Sequence, residues 1–77
     1  MSDARTRYIV GVDLGGTNIV VGAMPEDGSR QLAVHQAATH AEQGADAVVD
    51  RIAKMVVAVI TQVSASEKAK KEDFLIS

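Results

Sequence analysis

The chain carries two apolar runs separated by a short polar interruption. Residues 8–14 and 19–24 are apolar or β-branched at nearly every position, which is the pattern of strands covered on both faces of a sheet. The interruption consists of Gly15, Gly16, Thr17 and Asn18. A Gly-Gly pair between two such runs predicts a tight hairpin, because glycine accepts the positive φ that the favoured hairpin turns require.

A second turn and a third strand follow. The tetrapeptide PEDG, residues 25–28, predicts a turn, since proline pre-sets φ and glycine closes it. Residues 30–36 alternate, with Leu32 and Val34 on one side and mostly polar residues on the other. This alternation predicts a more exposed strand near the sheet edge, followed by a loop at about residues 37–43.

The clearest helix is predicted at residues 45–63. Its apolar positions recur at i, i+3, i+4 and i+7, and they are Ala45, Val48, Val49, Ile52, Ala53, Val56, Val59, Ile60 and Val63. The opposite face carries Asp46, Asp50, Arg51, Lys54 and Gln62. Asp50 and Lys54 form an i, i+4 pair in the better orientation, and Met55 lies between the two faces as a gap-filler at most.

The start of this helix has two interpretations. Thr39 and Glu42 have the spacing of a capping box, whereas a start near Gly44 keeps that glycine out of the first turns. After residue 63 the chain becomes a polar connector, with some helix at 67–72, and residues 74–77 begin a further strand. The predicted division is a tail at 1–7, strands at 8–36, a helix at 44–63, and a connector with a strand start at 64–77.

Composition narrows the function classes. A chain of 77 residues with 47% hydrophobic residues fits one small globular domain, which buries too little surface for generous stability. The net charge of −2 argues against a nucleic-acid partner. No apolar run reaches the roughly 18 residues that a membrane span needs. There is no cysteine, and His35 and His40 have no partners at metal-ligand spacing, so we expect a soluble cytoplasmic protein.

The polar interruption has the chemistry of a phosphate site. Glycines in a turn let backbone N–H groups converge on an anion and let the anion approach closely. Thr17 and Asn18 add short side-chain donors, and Asp13 at the strand end offers a hard oxygen ligand for magnesium. These parts match phosphoryl transfer, where catalysis is mostly positioning and charge neutralisation.

Three alternatives compete with this interpretation. A Walker A loop needs a lysine that is missing here, and a dinucleotide fingerprint needs a different glycine spacing and a following helix. A plain hairpin explains the glycines equally well. Asp13 favours a site over a plain hairpin, because an acid at the inner end of an apolar strand is costly unless it is paired or near a metal.

The sequence VGVDLGGTN, residues 10–18, resembles the first phosphate motif of the ROK family of sugar kinases, in the actin-like and hexokinase-like ATPase superfamily. The order of elements is similar too: a three-strand antiparallel meander, a helix, and a fourth strand parallel to the first. The resemblance implies an α/β fold, namely part of a ribonuclease H-like (actin-like ATPase) domain.

The same resemblance implies ATP and magnesium as cofactors. Asp13 would sit near the magnesium, through water, while Gly15, Gly16, Thr17 and Asn18 would face the β- and γ-phosphates. The family's catalytic base, an Asp in an Asn-Asp pair, has no counterpart here, and neither do its sugar and adenosine sites. No residue of this chain is therefore assigned as catalytic, and we expect the 77 residues alone to lack sugar-kinase activity.

The expected function is the N-terminal fragment of an ATP-dependent kinase of a hexose such as glucose, with nucleotide and sugar as ligands of the full-length relative. The alternatives are a non-catalytic remnant or binding module of the same fold, and a ROK-type transcriptional repressor. The repressor is the poorest of these, because its helix-turn-helix domain precedes the motif and only seven residues precede Tyr8. An edge left open along residues 9–14 would invite pairing with other chains, a second copy included.

Overall fold

A computed structural model of the chain describes residues 6–76. The predicted tail at 1–7 therefore lies largely outside the described residues, as does Ser77. The elements are β1 (Tyr8–Leu14), β2 (Asn18–Pro25), β3 (Ala33–Ala38), α1 (Ala45–Glu67) and β4 (Phe74–Ile76), with 3₁₀ turns at Ala41–Gln43 and Lys71–Asp73. The chain thus forms a small α/β domain from one helix and a mixed four-strand sheet.

The strands lie in the order β3-β2-β1-β4. The first three form an antiparallel meander, and β4 pairs in parallel with β1. The register places Leu14 opposite Ile19 beside the first turn, whereas β4 reaches only residues 8–10 of β1. The predicted strand order and edge position of β3 are confirmed, and the stretch of β1 that the described residues leave open is shorter than predicted, at residues 11–14.

The core lies between α1 and one face of the sheet. Its buried apolar residues are Tyr8, Val10, Ile19, Val21, Ala23, Ala33, Met55, Val59 and Val63. Burial of one valine side chain stabilises the fold by roughly 1.5–3 kcal/mol, so the fully buried Val10, Val21, Val59 and Val63 make this face the main source of stability.

Coverage of the strands on both faces was predicted and is wrong for the described residues. Tyr8 and Val10 are buried, whereas Gly11 and Asp13 are exposed and Ile9 is half-buried. The physical reason is that α1 covers one side of the sheet and no described element covers the other. An unbroken apolar run does not report how many layers lie over the strand.

The predicted phase of the third strand is also wrong. β3 begins at Ala33, three residues later than predicted, and Ala33 is buried whereas Val34 is 48% exposed. Leu32 packs against the core from just before the strand. The strand takes its register from pairing Ala33 with Ala23 of β2, and that pairing turns Val34 outward.

The helix starts at Ala45, as predicted by the interpretation that placed its start near Gly44. Gly44 precedes its first residue with φ 98° and no side chain caps it, so the capping box from Thr39 is wrong. The helix runs four residues beyond residue 63 and ends at Glu67. The Asp50–Lys54 pair is formed at 3.0 Å.

Met55 corrects the predicted orientation of α1. It is 8% exposed and belongs to the core rather than filling a gap between faces. Met55, Val59 and Val63 lie four residues apart and form one stripe, while Val49 is exposed. The buried face is thus rotated towards Met55 relative to the predicted one. Within the described residues, no helix combines the length and apolar composition that a bilayer crossing requires.

Candidate functional site

The turn between β1 and β2 comprises residues 15–17 together with Asn18, the first residue of β2, and all four residues are exposed. The Gly15 N–H donates to the Asn18 carbonyl at 2.9 Å, which closes the turn. The predicted hairpin is therefore present. The predicted reason for its glycines is wrong, because the described glycines with positive φ are Gly28 and Gly44 rather than Gly15 or Gly16.

The space around the backbone gives each of the two glycines a different role. A Cβ on Gly15 would lie 3.2 Å from the Asn18 carbonyl oxygen, whereas a Cβ on Gly16 would meet no atom within 4 Å. Gly15 therefore allows the turn to close tightly. Gly16 leaves open space over the turn, and a ligand can come close to the backbone there.

Two backbone N–H groups of this turn are unused. Among residues 6–76, neither the Gly16 nor the Thr17 N–H donates a hydrogen bond to the protein. The carbonyls of Gly15 and Thr17, in contrast, both accept one. Adjacent unused N–H groups in an exposed turn are the donors from which anion-binding concavities are built.

Thr39 ties the turn to the rest of the domain. Its hydroxyl donates to the Gly15 carbonyl at 2.9 Å, and its N–H donates to the Thr17 carbonyl at 2.9 Å. Its own carbonyl accepts from Arg51 Nη1 at 2.7 Å, while Arg51 Nη2 donates to Gln43 Oε1 at 2.6 Å. Sequence reasoning missed this network, because it treated Thr39 as a helix cap and Arg51 as part of a solvated face.

Asp13 is placed differently from the turn. It is exposed, pairs with Val20 across the ladder, and makes no side-chain hydrogen bond or ion pair with the described residues. It lies with Gly11 and Gln31 in a shallow groove of about 270 Å³ on the open face of the sheet. The sequence argument that Asp13 is a costly buried acid is therefore wrong, since water reaches its carboxylate.

Gly15 and Gly16 border another groove, of about 580 Å³, between the turn and the start of α1. Thr39, Gly44 and Val48 also line it. Gly44 and Ala45, at the start of α1, line this groove, so the positive end of the helix dipole lies at it. The structure thus brings the glycines together with Thr39 and the helix start, while Asp13 lies on the other face.

Both histidines and Glu42 have side-chain partners among the described residues. Hydrogen bonding to its own backbone, and then to His40, lowers the pKa of Glu42 below its ordinary value, and the His40–Glu42 contact is 3.2 Å. His35 Nε2 lies 2.8 Å from Gln62 Oε1. Within the described residues, no three His, Cys, Asp or Glu side chains are grouped to hold a metal ion.

The chain matches no protein-family model, no curated protein and no solved structure. What it binds has therefore to be inferred from the residues and contacts of the turn.

Proposed function

We propose that the chain binds the β- and γ-phosphates of a magnesium nucleotide at the turn of residues 15–18. The observation that carries this proposal is the pair of unused N–H groups at Gly16 and Thr17, beside the open space over Gly16. A phosphate oxygen accepts several hydrogen bonds at once, and glycine lets it approach the backbone. The exposed hydroxyl of Thr17 and amide of Asn18 add donors at the same place.

Magnesium supplies charge neutralisation when bound to the nucleotide. The carboxylate of Asp13 fits this ion because it is a hard oxygen ligand that is exposed and has no described partner. A magnesium ion that is bound mainly through phosphates keeps several waters and takes only one or two carboxylate ligands from the protein. Asp13 would therefore hold the ion through water.

The larger assignment is the N-terminal, nucleotide-binding part of a cytoplasmic ATP-dependent hexose kinase of ROK type. The sequence DLGGTN, residues 13–18, supports it, and so does the order of elements, a meander followed by a helix and a strand parallel to β1. This arrangement fits the beginning of a ribonuclease H-like ATPase domain. The Asn-Asp pair that holds the family's catalytic base has no counterpart in this sequence, so sugar phosphorylation would need residues other than these.

A non-catalytic nucleotide-binding module is the second candidate. It is favoured by the separation of Asp13, on the open face, from the groove that Gly15 and Gly16 border. Such a module would bind phosphate through the turn alone, with little dependence on magnesium.

An amide NMR titration with ATP, with and without magnesium, tests the proposal. We expect shifts concentrated at Gly16 and Thr17 and a Kd of about 1 mM, equivalent to roughly −4 kcal/mol. Gly16→Ala should weaken binding about tenfold, because its methyl group fills the approach. In the titration without magnesium, Gly11→Ala is the matched control, since a Cβ there also meets nothing within 4 Å.

The outcomes separate the candidates. Loss of the magnesium effect in Asp13→Ala supports the kinase-type site, whereas magnesium-independent binding supports the module. No binding at millimolar ATP contradicts both. In a coupled assay with glucose and ATP we expect no turnover, and sugar-dependent turnover by this chain would contradict the absence of a catalytic base.

A further inference from the structure

Thr39 occupies an unusual position for a polar residue in this domain. It follows β3 directly, precedes the 3₁₀ turn at Ala41–Gln43, and is only 3% exposed. Its hydroxyl, N–H and carbonyl are all hydrogen-bonded, at 2.9, 2.9 and 2.7 Å. A buried threonine with every polar group satisfied by a distant segment acts as a fixed point of the structure.

The two acceptors of Thr39 in the turn are the carbonyls of Gly15 and Thr17. The Gly15 carbonyl belongs to the same peptide group as the unused Gly16 N–H, and the Thr17 carbonyl belongs to the residue whose own N–H is unused. The turn itself supplies one backbone hydrogen bond, from Gly15 to Asn18, and its two glycines bring no side chains that could pack. Glycine loses more conformational freedom on ordering than other residues, so the turn depends on external contacts for its shape.

Arg51 holds Thr39 from the other side. Its guanidinium donates to the Thr39 carbonyl and to Gln43 Oε1, and bonds from a charged donor are stronger than neutral ones. Arg51 stands in the second turn of α1, which packs on the sheet through its buried stripe. A continuous path of contacts therefore leads from the rigid helix through Thr39 to the phosphate turn.

We propose that Thr39 is the positioning residue of this turn: it fixes the Gly15 and Thr17 carbonyls so that the Gly16 and Thr17 N–H groups stay directed at the ligand, and Arg51 fixes Thr39. Its effect on ligand affinity rests on the proposed phosphate function. Its effect on the order of the turn does not rest on that function and is measured without ligand.

Thr39→Val tests the proposal, because valine keeps the shape of threonine and removes the hydroxyl. We expect backbone order parameters of Gly16 and Thr17 to fall from about 0.85 to below about 0.6. The Kd for magnesium ATP should rise about fivefold to tenfold, because the ligand then has to order a turn that has lost one hydrogen bond. Thr39→Ser keeps the hydroxyl and should restore both quantities.

Two controls separate positioning from a general loss of stability. Thr61→Val makes the same chemical change at an exposed position of α1 and should leave the turn unaltered. Val63→Ala removes methyl groups from the core. Val63 lies about 27 Å along the helix from Ala45, which lines the groove beside the turn. Val63→Ala should destabilise the fold while the order parameters and Kd of the turn stay unchanged.

The results distinguish the two proposals. If Thr39→Val folds and keeps rigid Gly16 and Thr17 amides, the positioning role is wrong even though the chain binds ATP. If the amides become mobile but the unaltered chain binds no ATP, the positioning role stands and the phosphate function is wrong. If Thr39→Val does not fold, Arg51→Gln replaces it, with a smaller fall in the same order parameters expected and an unchanged turn contradicting the proposal.

Discussion

The two turns of the antiparallel meander are closed in different ways. The bend between β2 and β3 is closed by its own residues: the Gly28 N–H donates to the Pro25 carbonyl at 2.9 Å, and the Ser29 N–H donates to Asp27 Oδ1 at 2.9 Å. Longer-range contacts, from the Glu26 N–H to the Arg7 carbonyl and from Arg30 to Glu67, lie at the two ends of this bend. Gly28 has φ 70°, which an L side chain adopts only with strain. The two bonds that close this turn therefore lie within five consecutive residues.

The turn between β1 and β2 has one such local bond, from Gly15 to Asn18. Its other hydrogen bonds come from Thr39, whose hydroxyl reaches Gly15 across 24 positions of the chain. Neither Gly15 nor Gly16 has a positive φ. This turn therefore takes its shape from Thr39 as well as from its own Gly15–Asn18 bond.

The difference has a functional consequence. In the turn between β2 and β3, the N–H groups of Gly28 and Ser29 donate to the Pro25 carbonyl and to the Asp27 carboxylate. In the turn supported by Thr39, the external residue occupies carbonyl acceptors and leaves the Gly16 and Thr17 N–H groups free. A turn that is held through its acceptors can offer its donors to an anion while its shape stays fixed.

The largest expected effect is on global stability. Thr39→Val should lower the free energy of unfolding by about 1–3 kcal/mol, because it removes a bond made by a buried hydroxyl and leaves the Gly15 carbonyl without it. Ser29→Ala should change stability by less than about 0.5 kcal/mol, as is usual for exposed positions. Urea unfolding followed by circular dichroism measures both, and equal losses would contradict the contrast between the turns.

An alanine pair tests the same contrast at the backbone. Gly28→Ala should cost about 1 kcal/mol, because alanine at φ 70° is strained. Gly16→Ala should cost less than about 0.5 kcal/mol, since its φ is not positive and a methyl group meets no atom. Thermal unfolding of the two variants provides the measurement. A larger loss for Gly16→Ala would mean that the first turn has a strained backbone after all.

The sequence predicted the fold where the pattern is local. The first strand and the helix start at Gly44 are confirmed because apolar periodicity and glycine position act over a few residues. The phase of β3 and the burial of Met55 were predicted wrongly. Both depend on how the helix and sheet meet, since pairing of Ala33 with Ala23 decides which side of β3 is buried.

For the candidate site, too, the sequence indicated the local features and missed those that depend on distant contacts. Asp13 and the turn residues were selected from the sequence because their types and spacing suit phosphate, and their role stays a prediction. The exposure of Asp13 and the contacts of Thr39 and Arg51 could not be predicted, since they follow from the single covered face and from bonds spanning 12 and 24 positions. A buried threonine after a strand has no local signature that separates it from a helix cap.

The smallest expected effect concerns the ionisation of the local turn. The Ser29 N–H, followed by the Ser29 hydroxyl, lowers the pKa of Asp27 below its ordinary value of 3.8. The stabilisation from the Asp27 carboxylate is therefore present above the pKa of the unfolded chain and is lost as pH falls through the lower folded value. Ser29→Ala removes the hydroxyl and keeps the N–H, so the pKa of Asp27 should rise while staying below 3.8. Carboxyl ¹³C titration measures this shift, and Ser66→Ala, at an exposed position near the end of α1, is the control. An unchanged pKa would contradict a contribution from the Ser29 hydroxyl and would leave the backbone N–H as the hydrogen bond of Ser29 that lowers the pKa of Asp27.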